Sequence, residues 1–292
     1  MKLRAYAKIN LGLDVVRRRE DGYHEVRMIM QTIRMYDQLE IKRTQKPGIE
    51  LKTNLSYIPV NGDNLVCKAA KLLMDKYNIT EGLSIHLKKF IPVAAGMAGG
   101  SSDAAAALVG VNKLFSLGLS IEELMKIGVK IGADVPYCLM RGTALAEGIG
   151  EILTPLPATP ECYVLIGKPG INVSTKMVYT NLKLDQETRH PDIDGMLDAI
   201  HRGDLQGMTD RMLNVLEPGV VKLYPVISQI EDHMMEHGAL NAMMSGSGPT
   251  VFGIFDDREK AEKAAHALKE SKLTRNTFLT TLFNNGGSRN GK

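Results

Sequence analysis

Pro92-Val93-Ala94-Ala95-Gly96-Met97-Ala98-Gly99-Gly100-Ser101-Ser102-Asp103-Ala104 is a glycine-rich loop set between two regular elements. Before it, Leu83, Ile85 and Leu87 alternate with Ser84, His86 and Lys88, the period-two pattern of a strand. After it, an alanine-rich run with Leu108, Val111 and Phe115 on one face predicts a helix from near Ser101 to about Phe115. Glycine lets the backbone reach positive φ and lets a ligand approach closely. Successive N–H groups can then converge on an anion, and a helix N-terminus adds unpaired donors and a favourable dipole. Ser101 and Ser102 could cap the helix and donate to phosphate. No Gly-Lys-Ser/Thr closes the loop, and a Gly-x-Gly-x-x-Gly spacing is absent. Alone, the loop supports anion binding, with a ligand-free capped turn as the alternative.

Working outward, residues 2 to 16 alternate cleanly, with Leu3, Ala5, Ala7, Ile9, Leu11, Leu13 and Val15 on one parity. That predicts a half-buried strand. Lys8 and Asn10 share its other face, which reads as solvated unless they have a role. Asp21-Gly22 marks a turn, and strands are expected over 24 to 34, 38 to 43 and 49 to 53. Asp63 or Asn64 caps a helix running to about Tyr77. Ser120 and Glu123 form a capping box opening another, which Gly132 ends. Asp134-Val135-Pro136 then breaks the pattern, leaving a carboxylate in an apolar stretch, as a turn residue or as one with a partner.

Pro155, Pro157 and Pro160 crowd one segment and set the expected boundary between domains 1–157 and 158–292. Beyond it come a strand (162–167), helices between 174 and 237, strands at 239–244 and 250–255, a helix at 257–271 and a strand at 276–283. A second glycine-rich turn, Met244-Ser245-Gly246-Ser247-Gly248-Pro249-Thr250, joins two of these strands as a hairpin. The tail from Gly286 to Lys292 reads as frayed. Hairpins mixed with helices, without strict strand–helix alternation, make both halves α+β.

A chain of 292 residues suggests about two domains, and 44% hydrophobic with 24% charged residues is a globular composition. Thirty-six basic residues against 33 acidic ones, with no dense basic block, leave nucleic acid an unexpected partner. Cys67, Cys138 and Cys162 are odd in number and form no C-x-x-C pair, so neither a disulfide framework nor a thiolate metal site is expected. No leader pattern and no apolar run of about 20 residues is present. A reduced, cytoplasmic protein without a membrane association is expected, as a monomer or weak homodimer.

The N-terminal strand, the Pro-x-x-x-Gly-x-x-Gly-Gly-Ser-Ser loop and the late Ser-Gly-Ser-Gly-Pro turn together resemble the GHMP kinase superfamily, over nearly the whole chain. The closer marks are Ala7-Lys8-Ile9-Asn10-Leu11, Arg19-Glu20-Asp21-Gly22-Tyr23-His24 and Gly132-Ala133-Asp134-Val135-Pro136. The resemblance implies a two-domain fold: an N-terminal mixed α/β domain carrying the phosphate loop, and a C-terminal ferredoxin-like α+β domain. It implies an ATP-dependent kinase for a small alcohol bearing a cytidine diphosphate, with Mg²⁺ expected beside the nucleotide.

By position, Asp134 would be the catalytic base or an orienting carboxylate, and Lys8 would hold that carboxylate and the substrate hydroxyl. Pro92, Val93, Ala94, Ala95, Gly96, Met97, Ala98, Gly99, Gly100, Ser101 and Ser102 would bind the triphosphate, with Asn64 and Lys89 near the nucleotide. Asn10, Tyr23, His24, Thr175 and Tyr179 would line the substrate pocket, Tyr23 and Tyr179 sandwiching the cytosine and the backbone at His24 reading its edge. The loop departs from the family's usual Gly-Leu-Gly-Gly-Gly at Met97 and Ala98, so altered ATP affinity is expected.

Other readings stay open. Another small alcohol of the same superfamily could be the substrate, or the chain could bind nucleotide without chemistry. His233-Met234-Met235-Glu236-His237 spells H-x-x-E-H, which on a helix could present two His to zinc. It ends at Gly238 and is read as an exposed helix C-terminus, where His is favourable, so no metal ligands are assigned.

Overall fold

The structure, a computed structural model, describes residues 1–185 and 187–284. The tail expected to fray lies outside the described residues. The chain divides into two compact units interleaved in sequence. One comprises Met1–Ala7, Met35–Val93 and Ala98–Met140; the other comprises Lys8–Arg34, Ala94–Met97 and Arg141–Lys292. Compactness therefore does not follow a single cut at residue 157. The reason is the length of strands β1 (Lys2–Arg18) and β2 (His24–Thr44), each of which belongs partly to one unit and partly to the other.

In the first unit, the later half of β2 pairs antiparallel with β4 (Gly82–Lys88), Ile41 opposite Ile85. β4 pairs parallel with β3 (Ile49–Thr53), Leu51 opposite Ile85. A parallel pair needs a crossover, and α1 (Leu65–Lys76) supplies it. Asn64 caps α1 by accepting the Val66 N–H at 2.9 Å. α1 packs on α2 (Gly99–Leu114), whose Ala104 to Leu108 are all buried. Gly110 lets α2 pack closely: a Cβ there would meet Leu3 at 3.0 Å and Ile41 at 3.1 Å. α3 (Ile121–Gly128) opens with the Ser120–Glu123 capping box and ends at Gly128, before Gly132. A short α4 (Val135–Met140) begins directly after Asp134.

The segment 24–44 is one strand, not two. Asp37 looks like an interruption in the sequence but is fully buried within it. Its carboxylate accepts the N–H groups of Phe90 at 2.5 Å and Ile91 at 2.8 Å and pairs with Lys89. A buried charge so satisfied does not end a strand. β1 also differs from the half-buried expectation: residues 7 to 13 are buried on both faces, Lys8 and Asn10 included.

In the second unit, the first half of β2 pairs with β5 (Thr143–Glu147), and β5 with β6 (Ile152–Pro155). These two short strands have no counterpart in the sequence expectations. The rest of this unit runs β7 (Tyr163–Lys168), α5 (Thr175–Asn181), α6 (Ile193–Arg202), α7 (Leu205–Thr209), α8 (Glu217–Leu223), α9 (Val226–Glu236), β8 (Asn241–Met244), β9 (Val251–Phe255), α10 (Arg258–Glu270) and β10 (Asn276–Thr281). Its sheet has the order β10-β7-β9-β8, antiparallel throughout. With α9 and α10 packed on it, this is the split β-α-β ferredoxin-like arrangement. Gly167 lets the helices settle: a Cβ there would lie 3.1 Å from each of Ile230, Leu268 and Met234. No helix of the described residues is long and apolar enough to cross a membrane.

Candidate functional site

In the second unit, five of the expected residues gather around the turn between β8 and β9. Lys8 Nζ donates to Asn10 Oδ1 at 2.7 Å, and Asn10 Nδ2 points at Met28 Sδ at 3.2 Å. Both side chains are buried, so the solvated strand face is excluded. The Lys8 N–H also donates to the Met97 carbonyl at 3.2 Å, tying β1 to the glycine-rich loop. A Cβ on Gly246 would sit 3.1 Å from the Gly96 carbonyl oxygen, 3.4 Å from Asn10 Oδ1 and 3.5 Å from Lys8 Nζ. The second turn therefore lies directly on the lysine–asparagine pair. Asn214 holds that turn, its amide donating to the carbonyls of Met244 and Gly246, each at 2.8 Å.

Thr175, the first residue of α5, hydrogen-bonds through its hydroxyl to the Ser247 hydroxyl at 2.7 Å. Tyr179 follows one helical turn later on the same face. Its ring lies 5.1 Å from that of His24, tilted by 39°. Burial, with a smaller contribution from Arg18, lowers the His24 pKa below its ordinary value and favours the neutral ring. Tyr23 stands apart: it is 61% exposed, with its backbone N–H held by Asp21 Oδ1 at 3.1 Å. His24 is thus the ring that Tyr179 meets.

Gly96 joins the two glycine-rich segments. Its φ is +70°, and Ser245 Oγ donates to its carbonyl at 3.1 Å. A Cβ at Gly96 would fall 2.0 Å from the Ser245 carbonyl oxygen, closer than any real contact. Gly118 has the same φ of +70° but nothing within 4 Å of its Cβ position. Gly118→Ala is expected to cost about 1–2 kcal/mol for backbone strain alone. Gly96→Ala adds the clash and is expected to cost about 3 kcal/mol or more. Parallel thermal melts of the two variants separate the two effects; equal losses would mean that the turn yields freely.

In the first unit, Ala98 takes the left-handed conformation, φ +53°, and occupies the N-cap position of α2 without a side-chain cap. The first intrahelical bond runs from the Ser102 N–H to the Ala98 carbonyl at 2.9 Å, so the N–H groups of Gly99, Gly100 and Ser101 precede it. The expectation that a serine caps this helix is corrected, because α2 starts two residues early. Ser102 is buried and spends its proton on the Tyr6 carbonyl at 2.7 Å, so it has none left for a phosphate. Ser101 is half-buried, and a Cβ on Gly132 would lie 3.9 Å from its hydroxyl oxygen. The segment leading to Asp134 therefore runs beside the first turn of α2. Asp134 is half-buried, its carbonyl accepting the Cys138 N–H at 3.0 Å, and no residue of this unit hydrogen-bonds its carboxylate.

Lys89 and Asn64, expected near the nucleotide, are both committed within the protein. Asn64 uses its oxygen for the α1 cap and its NH₂ for the Pro59 carbonyl at 2.8 Å. Lys89 donates to Asp37 and, at 2.6 Å, to Asp103, with all three side chains at most 5% exposed. Asn54 clamps the Lys89 backbone through both its N–H, at 2.8 Å, and its carbonyl, at 3.1 Å. A Cβ at Gly99 would come within 3.2 Å of Lys89 Nζ and 3.0 Å of Ile91. The lysine thus backs the first turn of α2 from inside. Asp103 is held well above the usual carboxylate range, chiefly by burial and then by the charge of Asp37, with Lys89 opposing. Its Oδ1 is buried with no partner. The raised Asp103 pKa favours its neutral acid form beside the Lys89 ammonium. Asp37 and Asp103 went unread in the sequence because their partner is remote along the chain.

A second buried acid pair braces the turn on β8. Glu217 Oε2 accepts the Met244 N–H at 2.6 Å. Burial, the charge of Glu217 and a hydrogen bond to it push Glu231 up to about 9. Glu231 therefore keeps its proton at neutral pH. A folded pKa above the unfolded value near 4.3 means the native state binds more protons. The pair's contribution is fully present below that unfolded value and is lost as pH rises toward about 9. Glu231→Gln keeps a donor and removes the titration. Its melting temperature should exceed the wild-type value at pH 8–9 and fall less steeply with pH; parallel pH curves would show Glu231 to be ionised already.

Comparison with known proteins gives the family. The GHMP kinases N terminal domain matches residues 64–142, and the GHMP kinases C terminal domain matches residues 196–272. The chain is 58% identical over 283 residues to a 4-diphosphocytidyl-2-C-methyl-D-erythritol kinase of Lachnoclostridium phytofermentans, covering 97% of each chain. It is 48% identical to the protein of that name from Clostridium perfringens, covering 97% of this chain and 99% of the other. A crystal structure of 4-(cytidine 5'-diphospho)-2C-methyl-D-erythritol kinase superposes with a TM-score of 0.83 at 32% identity, covering 97% of this chain and 99% of the other. Two domain matches in order and full-length identity of this level leave one assignment: the chain belongs to the GHMP kinase family.

Proposed function

We propose that this kinase transfers the γ-phosphoryl group of ATP to the 2-hydroxyl of 4-diphosphocytidyl-2-C-methyl-D-erythritol, giving the 2-phosphate, in non-mevalonate isoprenoid precursor biosynthesis. The observation that carries the reading is the cluster of Lys8, Asn10, Thr175, Tyr179 and His24 around the Ser245–Gly248 turn. It sets a buried ammonium and a carboxamide beside hydroxyls and a pair of flat rings, the donor set for an alcohol carrying a cytosine. Full-length relatives that bear the substrate's name support the same choice.

Phosphoryl transfer asks for positioning and charge neutralisation more than for covalent help. Asp134 orients the substrate hydroxyl and accepts its proton as the new O–P bond forms. Lys8 has three N–H donors and spends one on Asn10, leaving two for the hydroxyl and the developing charge. The loop Pro92 to Ser102 receives the triphosphate, chiefly through the open N–H groups of Gly99, Gly100 and Ser101. Lys89 and Asn64 act from behind rather than as ligands.

Mg²⁺ fits this oxygen-rich setting, since it holds phosphates with one or two protein oxygens and several waters. The Ser101 hydroxyl and the Asp134 carboxylate are the oxygens of this chain that would hold it. When bound, it neutralises phosphate charge. A cytoplasmic location, no nucleic-acid partner, and a monomer or weak dimer complete the reading.

The test is ADP release from MgATP with the cytidyl substrate, mevalonate and galactose in parallel. Turnover is expected with the cytidyl substrate alone. Preference for mevalonate or galactose would overturn the substrate and keep the kinase. Bound ATP with no turnover on any of them would leave a nucleotide-binding protein without chemistry.

A further inference from the structure

The last turn of α9 carries a cluster that the kinase reading does not use. His233, Glu236 and His237 each offer a ligand atom, and these atoms all lie within 4.8 Å of one another. We propose that these three side chains form a zinc site on the C-terminal turn of α9. The proposal departs from the expectation of a merely solvated helix end.

Three observations converge. His237 Nδ1 lies 2.7 Å from the His233 carbonyl oxygen, so it donates its proton there. That leaves the Nε2 lone pair of His237 free, the tautomer fixed by a backbone carbonyl that zinc-bound imidazoles commonly show. His233 Nε2 is buried with no hydrogen-bond partner, an unsatisfied atom that a metal would satisfy. The two ring centroids lie 4.3 Å apart, with the planes tilted by 31°.

The surroundings agree. A helix C-terminus is the negative end of the dipole and favours a cation. Glu236 is exposed and makes no ion pair among the described residues, so it is free to turn inward. Lys260, whose chain passes 3.4 Å from the Cβ position of Gly238, has its own partner in Asp256. Two imidazoles and one carboxylate suit zinc and disfavour Mg²⁺ and Ca²⁺, which take oxygen. Tetrahedral zinc needs ligand atoms about 3.3 Å apart, so the three atoms close by about 1.5 Å at most, within rotamer reach. The fourth position stays open to water. The thiols are not rivals: all three cysteines are buried, and burial pushes Cys162 up to about 12. Zinc here would fasten the end of α9 just before the chain enters β8.

The test is equilibrium dialysis of the full chain against ZnCl₂ without nucleotide, with thermal melts on the same samples. One zinc per chain is expected, with a melting temperature that rises on loading. Glu236→Gln, a surface change, should weaken binding roughly tenfold, and His237→Gln roughly a hundredfold, both with unaltered far-ultraviolet circular dichroism. His233→Ala should match His237→Gln. No retained zinc at a molar excess, or affinity unmoved by Glu236→Gln and His237→Gln, would overturn the site.

Discussion

Asp134→Asn is expected to lower kcat by roughly a thousandfold or more, with the KM for ATP within about twofold of wild type. The substitution keeps size and hydrogen-bonding reach but removes the group proposed to take the hydroxyl proton. An alcohol is a poor nucleophile at neutral pH, so the loss falls on the chemical step. The sequence around Asp134 sets where it stands. Gly132 and Ala133 bring the chain past the hydroxyl of Ser101, and Pro136 follows in the first turn of α4. No residue of its own unit ties up the carboxylate. Single-turnover kinetics with bound ATP read the step directly; a kcat within tenfold of wild type would remove Asp134 from catalysis.

Asp37→Asn and Asp103→Asn form a second, sharper contrast. Both acids touch the same lysine, and both are buried. Asp37→Asn strips the ammonium of its anion and weakens the acceptor of two backbone N–H groups, so a loss of about 3–5 kcal/mol is expected. Asp103→Asn replaces a neutral acid by a neutral amide and should cost under about 1 kcal/mol. The pH dependence has a definite sign. Asp103 has a raised folded pKa, so its contribution is complete below an unfolded value near 3.9 and is lost as pH rises through the folded one. Asp103→Asn should flatten that decline. Because Lys89 backs Gly99, Asp37→Asn should also raise the KM for ATP more than it lowers kcat. Denaturant melts across pH check the first claims, and steady-state kinetics check the last. Equal damage from the two variants would mean that Asp103 is charged.

Much of the fold was legible because it is written in local periodicities. The alternation of β1, the capping box of α3 and the hairpin at Ser245 to Pro249 each depend on neighbours in sequence. What escaped depends on distant partners. Asp37 looks like a strand break until Lys89 supplies its counter-charge. The half-buried expectation for β1 failed because period two reports one apolar face and is silent on what covers the other. The start of α2 was misplaced because Ala98, rather than a serine, adopts the left-handed cap conformation. The site divides in the same way. Lys8, Asn10, His24, Thr175 and Tyr179 were named through resemblance, and their convergence on the second turn is a property of the fold. Lys89 was named for the nucleotide, but its bonds go to Asp37 and Asp103; no signal in one sequence separates a lysine that binds phosphate from one that supports the loop.

The central claim is chemical: one phosphoryl group moves from ATP to one hydroxyl. The 2-hydroxyl of a 2-C-methyl tetritol is tertiary, so a phosphate placed there has no proton on its attached carbon. Phosphorus NMR of the product, with protons coupled, decides the matter. The account predicts one new phosphomonoester resonance, unsplit, appearing in step with ADP and absent with Asp134→Asn. A resonance split by carbinol protons, or ADP formed with no new phosphomonoester, would contradict it.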